Sequence, residues 1–138
     1  LSILINLEAI MAYYAQTSGT HQTNSGTFVP IPGLSITIPE GVGTMAIVIL
    51  NVPNPYATGT NTPGGTFGIN VNGVTSPVTA TFTYNDVAPT NTGRIPTTLV
   101  VGVPLVQTGS QTVQAGWFGV RGSTVIIDTP ATLTAILD

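Results

Sequence analysis

The stretch Thr66-Phe67-Gly68-Ile69-Asn70-Val71-Asn72-Gly73 decides the fold. Side chains of an extended chain alternate with period two, which puts Phe67, Ile69 and Val71 on one face. Asn72-Gly73 favours a two-residue hairpin turn, because both residues tolerate positive φ. The run therefore predicts a strand that turns back on itself. Val78–Tyr84 alternates again and supplies the returning partner.

Working outward, the same grammar repeats. Upstream, Gly43–Val52 holds the nearly continuous apolar run Thr44-Met45-Ala46-Ile47-Val48-Ile49-Leu50, which predicts a central buried strand stopped by Pro53-Asn54-Pro55. Tyr56–Gly65 reads as a loop. Phe28–Pro32 and Leu34–Pro39 read as strand pieces interrupted by Pro32-Gly33. Ile10–Gln16 reads as a first strand, followed by a polar loop over Thr17–Gly26. Leu1–Ala12 carries enough helix formers for a short helical turn.

Downstream, Val87–Gly93 is a polar loop, and Thr97–Val106 is an apolar run broken by Gly102 and Pro104. Gln111–Val120 and Ser123–Asp128 are separated by Arg121-Gly122, and Ala131–Leu137 closes the chain. The expectation is an all-β domain of nine or ten short antiparallel strands over residues 1–138, arranged as a two-sheet sandwich or jelly roll. Met11 is placed to be a native start, with residues 1–10 as an expression remnant or a natural extension.

Composition narrows the function. Charged residues make up 5% of the 138, and the net charge is −3. Nucleic-acid binding needs clustered Lys and Arg to displace counterions from phosphates, and two arginines cannot supply that. Anionic membrane surfaces are set aside for the same reason. The apolar start of the chain has no basic n-region and is too short to span a bilayer, so neither a signal peptide nor membrane insertion is expected. With no cysteine there is neither a disulfide framework nor a thiolate metal site. The low charge leaves little repulsion between copies and so permits self-association.

Catalytic chemistry finds little support. The acids Glu8, Glu40, Asp86, Asp128 and Asp138 are scattered and form no recognisable carboxylate pair or calcium set. The lone histidine, His21, lies in a Ser/Thr/Gly segment and reads as a solvated loop residue. No Gly-x-Ser-x-Gly elbow accompanies it. No enzyme activity, metal or cofactor is expected.

The only cations are Arg94, at the end of Phe82–Arg94, and Arg121, in Trp117-Phe118-Gly119-Val120-Arg121-Gly122. Two cations are too few to be general surface charge. A neutral sugar is held by fork-shaped donors, small hydroxyls or amides, and an aromatic surface. Tyr56, Thr83, Tyr84, Asn91, Thr92, Arg94 and Arg121 are of those types. The competing reading pairs each arginine with an acid, Arg94 with Asp86 and Arg121 with Asp128, and from the residue types alone both stay open.

Further residues carry a resemblance. Val48-Ile49-Leu50-Asn51-Val52-Pro53-Asn54-Pro55-Tyr56-Ala57-Thr58-Gly59, then Phe82-Thr83-Tyr84, Thr92-Gly93-Arg94-Ile95-Pro96, Thr98-Leu99-Val100, Gly116-Trp117, Val120-Arg121-Gly122-Ser123 and Ile127-Asp128 stand in that order. With Ile31-Pro32-Gly33-Leu34 upstream, residues 27–137 resemble the N-terminal fucose-binding domain of the Burkholderia two-domain superlectin.

The resemblance implies a TNF/C1q-like jelly-roll sandwich of two antiparallel sheets. It also implies a homotrimer, with metal-free sites for fucose or fucosylated glycans between protomers. Tyr56, Thr83, Tyr84, Asn91, Thr92, Arg94 and Arg121 match residues of that site, with Asp128 in the extended subsite beside Thr129. Departures are Thr66, where the family has a tyrosine, Asn91 in place of a serine, and Ile126 in place of a histidine. The alternative is a trimeric structural head of the same fold without sugar binding.

Overall fold

The computed structural model describes residues 11–138, so the helical turn expected within Leu1–Ala12 lies, but for Met11 and Ala12, outside the described residues. Eleven strands follow: β1 (Met11–Gln16), β2 (His21–Thr23), β3 (Val29–Ile38), β4 (Met45–Val52), β5 (Tyr56–Thr58), β6 (Gly64–Val71), β7 (Val74–Thr83), β8 (Thr97–Pro104), β9 (Gln111–Val120), β10 (Thr124–Ile127) and β11 (Thr132–Leu137). Every pairing among them is antiparallel. They form sheets in the orders β1-β11-β4-β8 and β3-β9-β6-β7, with a short sheet β2-β10-β5.

The hairpin read from Thr66–Gly73 forms. Val71 pairs with Val74, and Asn72 and Gly73 have φ of 50° and 85°, the double positive φ of a type I′ turn. The Asn72 side chain accepts from the Thr112 N–H at 2.8 Å, which ties the turn to β9.

Several expectations change. The two strand pieces around Pro32-Gly33 are one strand, β3, whose pairing with β9 shifts register between Pro30 and Ser35. The segments read as loops at Thr17–Gly26 and Tyr56–Gly65 each hold a three-residue strand, β2 and β5. Both pair with β10. Runs this short have too few residues to show an alternation, so only the neighbour reveals them. His21, read as a solvated loop residue, opens β2 and sets Nε2 2.8 Å from the Ser18 carbonyl.

β4 is central, but it is buried on one face only. Ala46, Val48, Leu50 and Val52 are sealed, while Met45 and Ile47 on the other face are each 42% exposed.

The core lies between the two four-stranded sheets. Trp117 and Phe67 face each other across the β6–β9 ladder, with ring centroids 6.4 Å apart and almost no exposure. Leu50, Leu133, Val48, Ile38 and Val113 fill the space around them. β10 packs on β6 and β9. A Cβ at Gly65 would lie 2.6 Å from Val125 of β10, so glycine there is what lets the short sheet seat against the sandwich.

Asp138 joins β11 to the start of β4. Its carboxylate accepts from the Thr44 N–H at 2.9 Å, the Thr44 hydroxyl at 2.7 Å and the Met45 N–H at 3.1 Å. These bonds stabilise the charged form and hold the carboxyl at about 2, against a usual 3.8. The folded value is depressed, so the stabilisation is complete above pH 3.8 and is lost as the pH falls towards about 2. Thermal unfolding followed from pH 5 down to about 2 is expected to show a shallower acid loss in Asp138→Asn than in the unaltered chain. Parallel acid limbs would refute the clip.

Candidate functional site

The short sheet assembles the first group of site residues. β5 pairs with β10 so that Tyr56 lies opposite Ile126, two residues before Asp128. The Phe82–Arg94 loop returns to this edge, where the Ile95 N–H donates to the Pro55 carbonyl at 3.0 Å. Arg94 then reaches Asp128 with both ends of its fork, Nη1 to Oδ1 at 2.5 Å and Nη2 to Oδ2 at 2.8 Å. Nη1 also donates to the Asn54 carbonyl at 3.1 Å. The guanidinium carbon sits 4.2 Å from the centre of the Tyr56 ring, within cation–π range.

The pairing of Arg94 with Asp86 is therefore corrected. Asp86 instead accepts from the Ala88 N–H inside its own turn, at 3.3 Å. Hydrogen bonding from Arg94 draws the Asp128 carboxyl below its usual value. The same bond raises Arg94. Side-chain exposures of 44% for Arg94 and 31% for Asp128 leave the pair open to solvent, so it orients the guanidinium more than it stabilises the fold.

A guanidinium has five N–H donors in one plane. Three of Arg94's are spent, on Asp128 twice and on Asn54 once. The remaining two, Nε–H and the second on Nη2, lie side by side on one edge. That edge is a fork for two neighbouring oxygens, while the Tyr56 ring covers one face of the guanidinium. Asn91 is exposed and Thr92 half-buried on the same loop.

Tyr84 stands behind this group. Its hydroxyl donates to the Gly93 carbonyl at 2.5 Å and accepts from the Ala57 N–H at 3.2 Å, so it pins the Arg94 loop to β5. Its Phe82 neighbour meets it edge-on at 5.9 Å.

The second group lies at the end of the β3-β9-β6-β7 sheet. Gly64 lies opposite Thr83 on one side and Val120 on the other, next to the turn that carries Arg121. Arg121 has φ 51°, in the left-handed region. Its Nε donates to the Asn61 carbonyl at 3.1 Å and its Nη2 to the Thr62 carbonyl at 2.5 Å. Its pairing with Asp128 is thus corrected: its anchors are backbone carbonyls, and both Nη1 hydrogens remain free to donate. The Ser123 hydroxyl bonds the Val120 carbonyl and accepts from the Gly64 N–H at 3.1 Å, which fixes that turn.

Thr83 is exposed, whereas Thr66 is 5% exposed with its hydroxyl 2.8 Å from that of Thr81. Ile126 is buried in β10. Among the described residues no side-chain hydrogen bond or ion pair joins Arg94, Asp128 or Tyr56 to Arg121. The loops that carry them do meet, where the Thr62 N–H donates to the Val87 carbonyl and the Tyr84 N–H to the Pro63 carbonyl, both at 2.9 Å. No cluster of three His, Cys, Asp or Glu among the described residues has metal-binding geometry. The carbonyls of Asn54, Asn61 and Thr62 were not expected as anchors, because a backbone acceptor has no side-chain signature in the sequence.

The model of the family described as Bc2l-C, N-terminal domain, matches residues 14–136. The chain belongs to that family. This is the superlectin domain to which the motifs around Tyr56, Arg94 and Arg121 pointed. No curated protein matches the chain.

Among solved structures, dimeric latent PorU from Porphyromonas gingivalis is similar over 94% of this chain, with a TM-score of 0.56 and 11% identity. The chain corresponds to 13% of the PorU chain, and at that identity the likeness is one of fold alone. A second similar structure is the CBM36-1 domain of a multidomain xylanase from the hindgut metagenome of Trinervitermes trinervoides. It has 17% identity and a TM-score of 0.44 over 91% of this chain and 96% of that one.

For this Bc2l-C-type domain, NMR titration of the Asp128 carboxyl carbon is expected to give a midpoint below 3.8, moving upward in Arg94→Ala. A midpoint indifferent to the substitution would mean that the pair does not form in solution.

Proposed function

We propose that this chain is a single, non-catalytic, metal-independent lectin domain of TNF-like jelly-roll fold. It recognises fucose or fucosylated glycans at sites between the protomers of a homotrimer. The observation that carries this reading is the state of the two arginines. Arg94 is braced by Asp128, stacked on Tyr56 and left with one free two-donor edge. Arg121 is braced by carbonyls and keeps Nη1 free. Both are oriented forks with unspent donors, which neutral hydroxyl pairs need.

Within one chain the two forks share no side-chain partner, although backbone bonds join their loops. A cleft using both is supplied most simply by two copies, Tyr56, Asn91, Thr92 and Arg94 from one and Thr83 and Arg121 from its neighbour. Asp128 takes a bracing role, and Tyr84 holds the loop in place. Thr66 stands where the family has an aromatic, and its buried side chain, bonded to Thr81, offers the sugar less surface.

The outer face of β1-β11-β4-β8 supports self-association. Ile136 lies beside Ile47, Val100 beside Ile49, and Tyr14 at the edge, with no charged side chain among them. Tyr14 is 61% and Val100 55% exposed in the single chain. An uncharged face that exposes Tyr14, Ile47, Val100 and Ile136 among threonines is one that a partner of the same sequence covers. Affinity per site is modest, and avidity on a glycan-covered surface arises from three sites on one assembly.

On a fucosylated glycan array and in calorimetry with fucose, the protein is expected to bind, and to do so unchanged in excess chelator. Arg94→Ala is expected to weaken binding by roughly ten- to a hundredfold, about 1.5–3 kcal/mol for charge-assisted bonds, while the oligomer persists. Silence on both platforms, or binding indifferent to Arg94→Ala, would sink the assignment. Ile47→Glu places a charge in the proposed interface and is expected to convert a trimer to monomers in sedimentation velocity. A trimer that survives it would move the interface elsewhere.

A further inference from the structure

A second feature lies away from both arginine groups, on the outer face of β3-β9-β6-β7. Here a cavity of about 180 Å³ is lined by Phe28, Pro30, Gly68, Asn70, Thr75 and Gln114, among others. Two irregularities open it. The β3–β9 pairing shifts between Pro30 and Ser35, and the β6–β7 pairing shifts between Gly68 and Asn70. Bulges of this kind part neighbouring strands and re-aim side chains.

The floor is built from two glycines. Gly68 and Gly116 lie opposite each other in the β6–β9 ladder. A Cβ at Gly68 would come within 2.8 Å of the Phe28 ring, and one at Gly116 within 3.4 Å. The Phe28 ring therefore stands along a floor with no side chains and forms an apolar wall. Phe118 meets it edge-on at 4.8 Å and 81°, which holds it in place.

The next outward-facing pair along the ladder is polar. Asn70 lies opposite Gln114. Gln114 spends its amide N–H groups on the carbonyls of Leu34 and Ala115, both at 2.9 Å, and of Ile31 at 3.3 Å, which leaves Oε1 as an acceptor. Asn70 is oriented the other way. Its Oδ1 accepts from the Gly73 N–H at 2.8 Å, which leaves Nδ2 as a donor with only a 3.5 Å contact to the Thr75 hydroxyl. A fixed donor and a fixed acceptor thus stand side by side beyond an aromatic wall, and no charged residue lines the cavity.

We propose that this cavity is a second carbohydrate site, taking one neutral pyranose ring with its C–H face on Phe28 and adjacent hydroxyls on Asn70 Nδ2 and Gln114 Oε1. Each hydroxyl both donates and accepts, so a vicinal pair satisfies the two amides together. The volume is below the ~300–1,000 Å³ of clefts that enclose drug-sized ligands, so the cavity admits one ring and not a chain of them. The absence of charge selects against uronic acids, sialic acids and sugar phosphates, whose anionic groups would find no counter-charge. The site does not depend on the intersubunit reading, because it is contained within one chain. A ligand this small, held by two hydrogen bonds and one ring face, binds in the millimolar range.

The test is two-dimensional NMR on the full chain, titrated separately with the methyl glycosides of glucose, galactose, mannose and fucose. At least one is expected to shift the Gly68 and Gly116 backbone amides together with the Asn70 and Gln114 side-chain amides. Those shifts persist in Arg94→Ala, which separates this site from the arginine cleft. They weaken by about tenfold or more in Phe28→Leu, which keeps an apolar wall but removes the ring, and in Thr75→Trp, which fills the exposed mouth. Should Phe28→Leu fail to fold, Thr75→Trp decides alone, since it lies on the surface. No shift at these four residues with any glycoside overturns the proposal, as does full binding in Thr75→Trp. A response to cyclohexanol with none to the glycosides would show a plain apolar crevice and overturns it equally.

Discussion

The structure depends on two apolar sheet faces meeting with almost no electrostatic help. Trp117 and Phe67 stand together at the centre, and the aliphatic residues of β4, β11 and β3 close over them. With so few ionisable groups, folding rests on burial and on backbone ladders, at roughly 25 cal/mol per Å² of apolar surface removed from water. Threonine on the outer faces satisfies strand propensity without adding charge. The outer surface is consequently short of charge as well, and the outer face of β1-β11-β4-β8 exposes Tyr14, Ile47, Val100 and Ile136 among uncharged polar residues.

That economy gives the few charges their meaning. An exposed ion pair contributes little to stability, because water screens it and long side chains lose entropy in making it. Arg94 and Asp128 are better understood as a positioning device. The carboxylate occupies one end of the guanidinium, the Asn54 carbonyl a third donor, and the Tyr56 ring one face. What remains is a single edge with a set direction. Arg121 is oriented by a different means, two carbonyls and a left-handed backbone. Its remaining donors are on the other part of the fork. Different bracing thus leaves different edges free.

The glycines act in the same economy. Gly65 makes room for Val125, so the small sheet that carries Tyr56, with Asp128 one residue past its β10, sits against β6. Gly68 and Gly116 make room for Phe28 on the opposite face. In both places a missing side chain on the sheet lets an element from outside it come close. The first approach builds the arginine group and the second builds the outer cavity.

Much of this was legible in the residues. The alternation of Phe67, Ile69 and Val71, the Asn72-Gly73 turn and the apolar run over Met45–Leu50 determined the antiparallel all-β fold of the described residues, because the two-residue period and positive-φ turn chemistry are local properties. The motifs around Tyr56, Arg94 and Arg121 determined the family for the same reason: they are contiguous. Only the tertiary structure decided that Arg94 meets Asp128 and Arg121 meets backbone carbonyls, since Asp128 is 34 residues from Arg94 and reaches it through the β5–β10 pairing. It alone showed the three-residue strands, the one-sided burial of β4 and the opposition of Asn70 and Gln114. Those depend on ladder register and on distances between segments far apart in the chain, which no local pattern of side chains encodes.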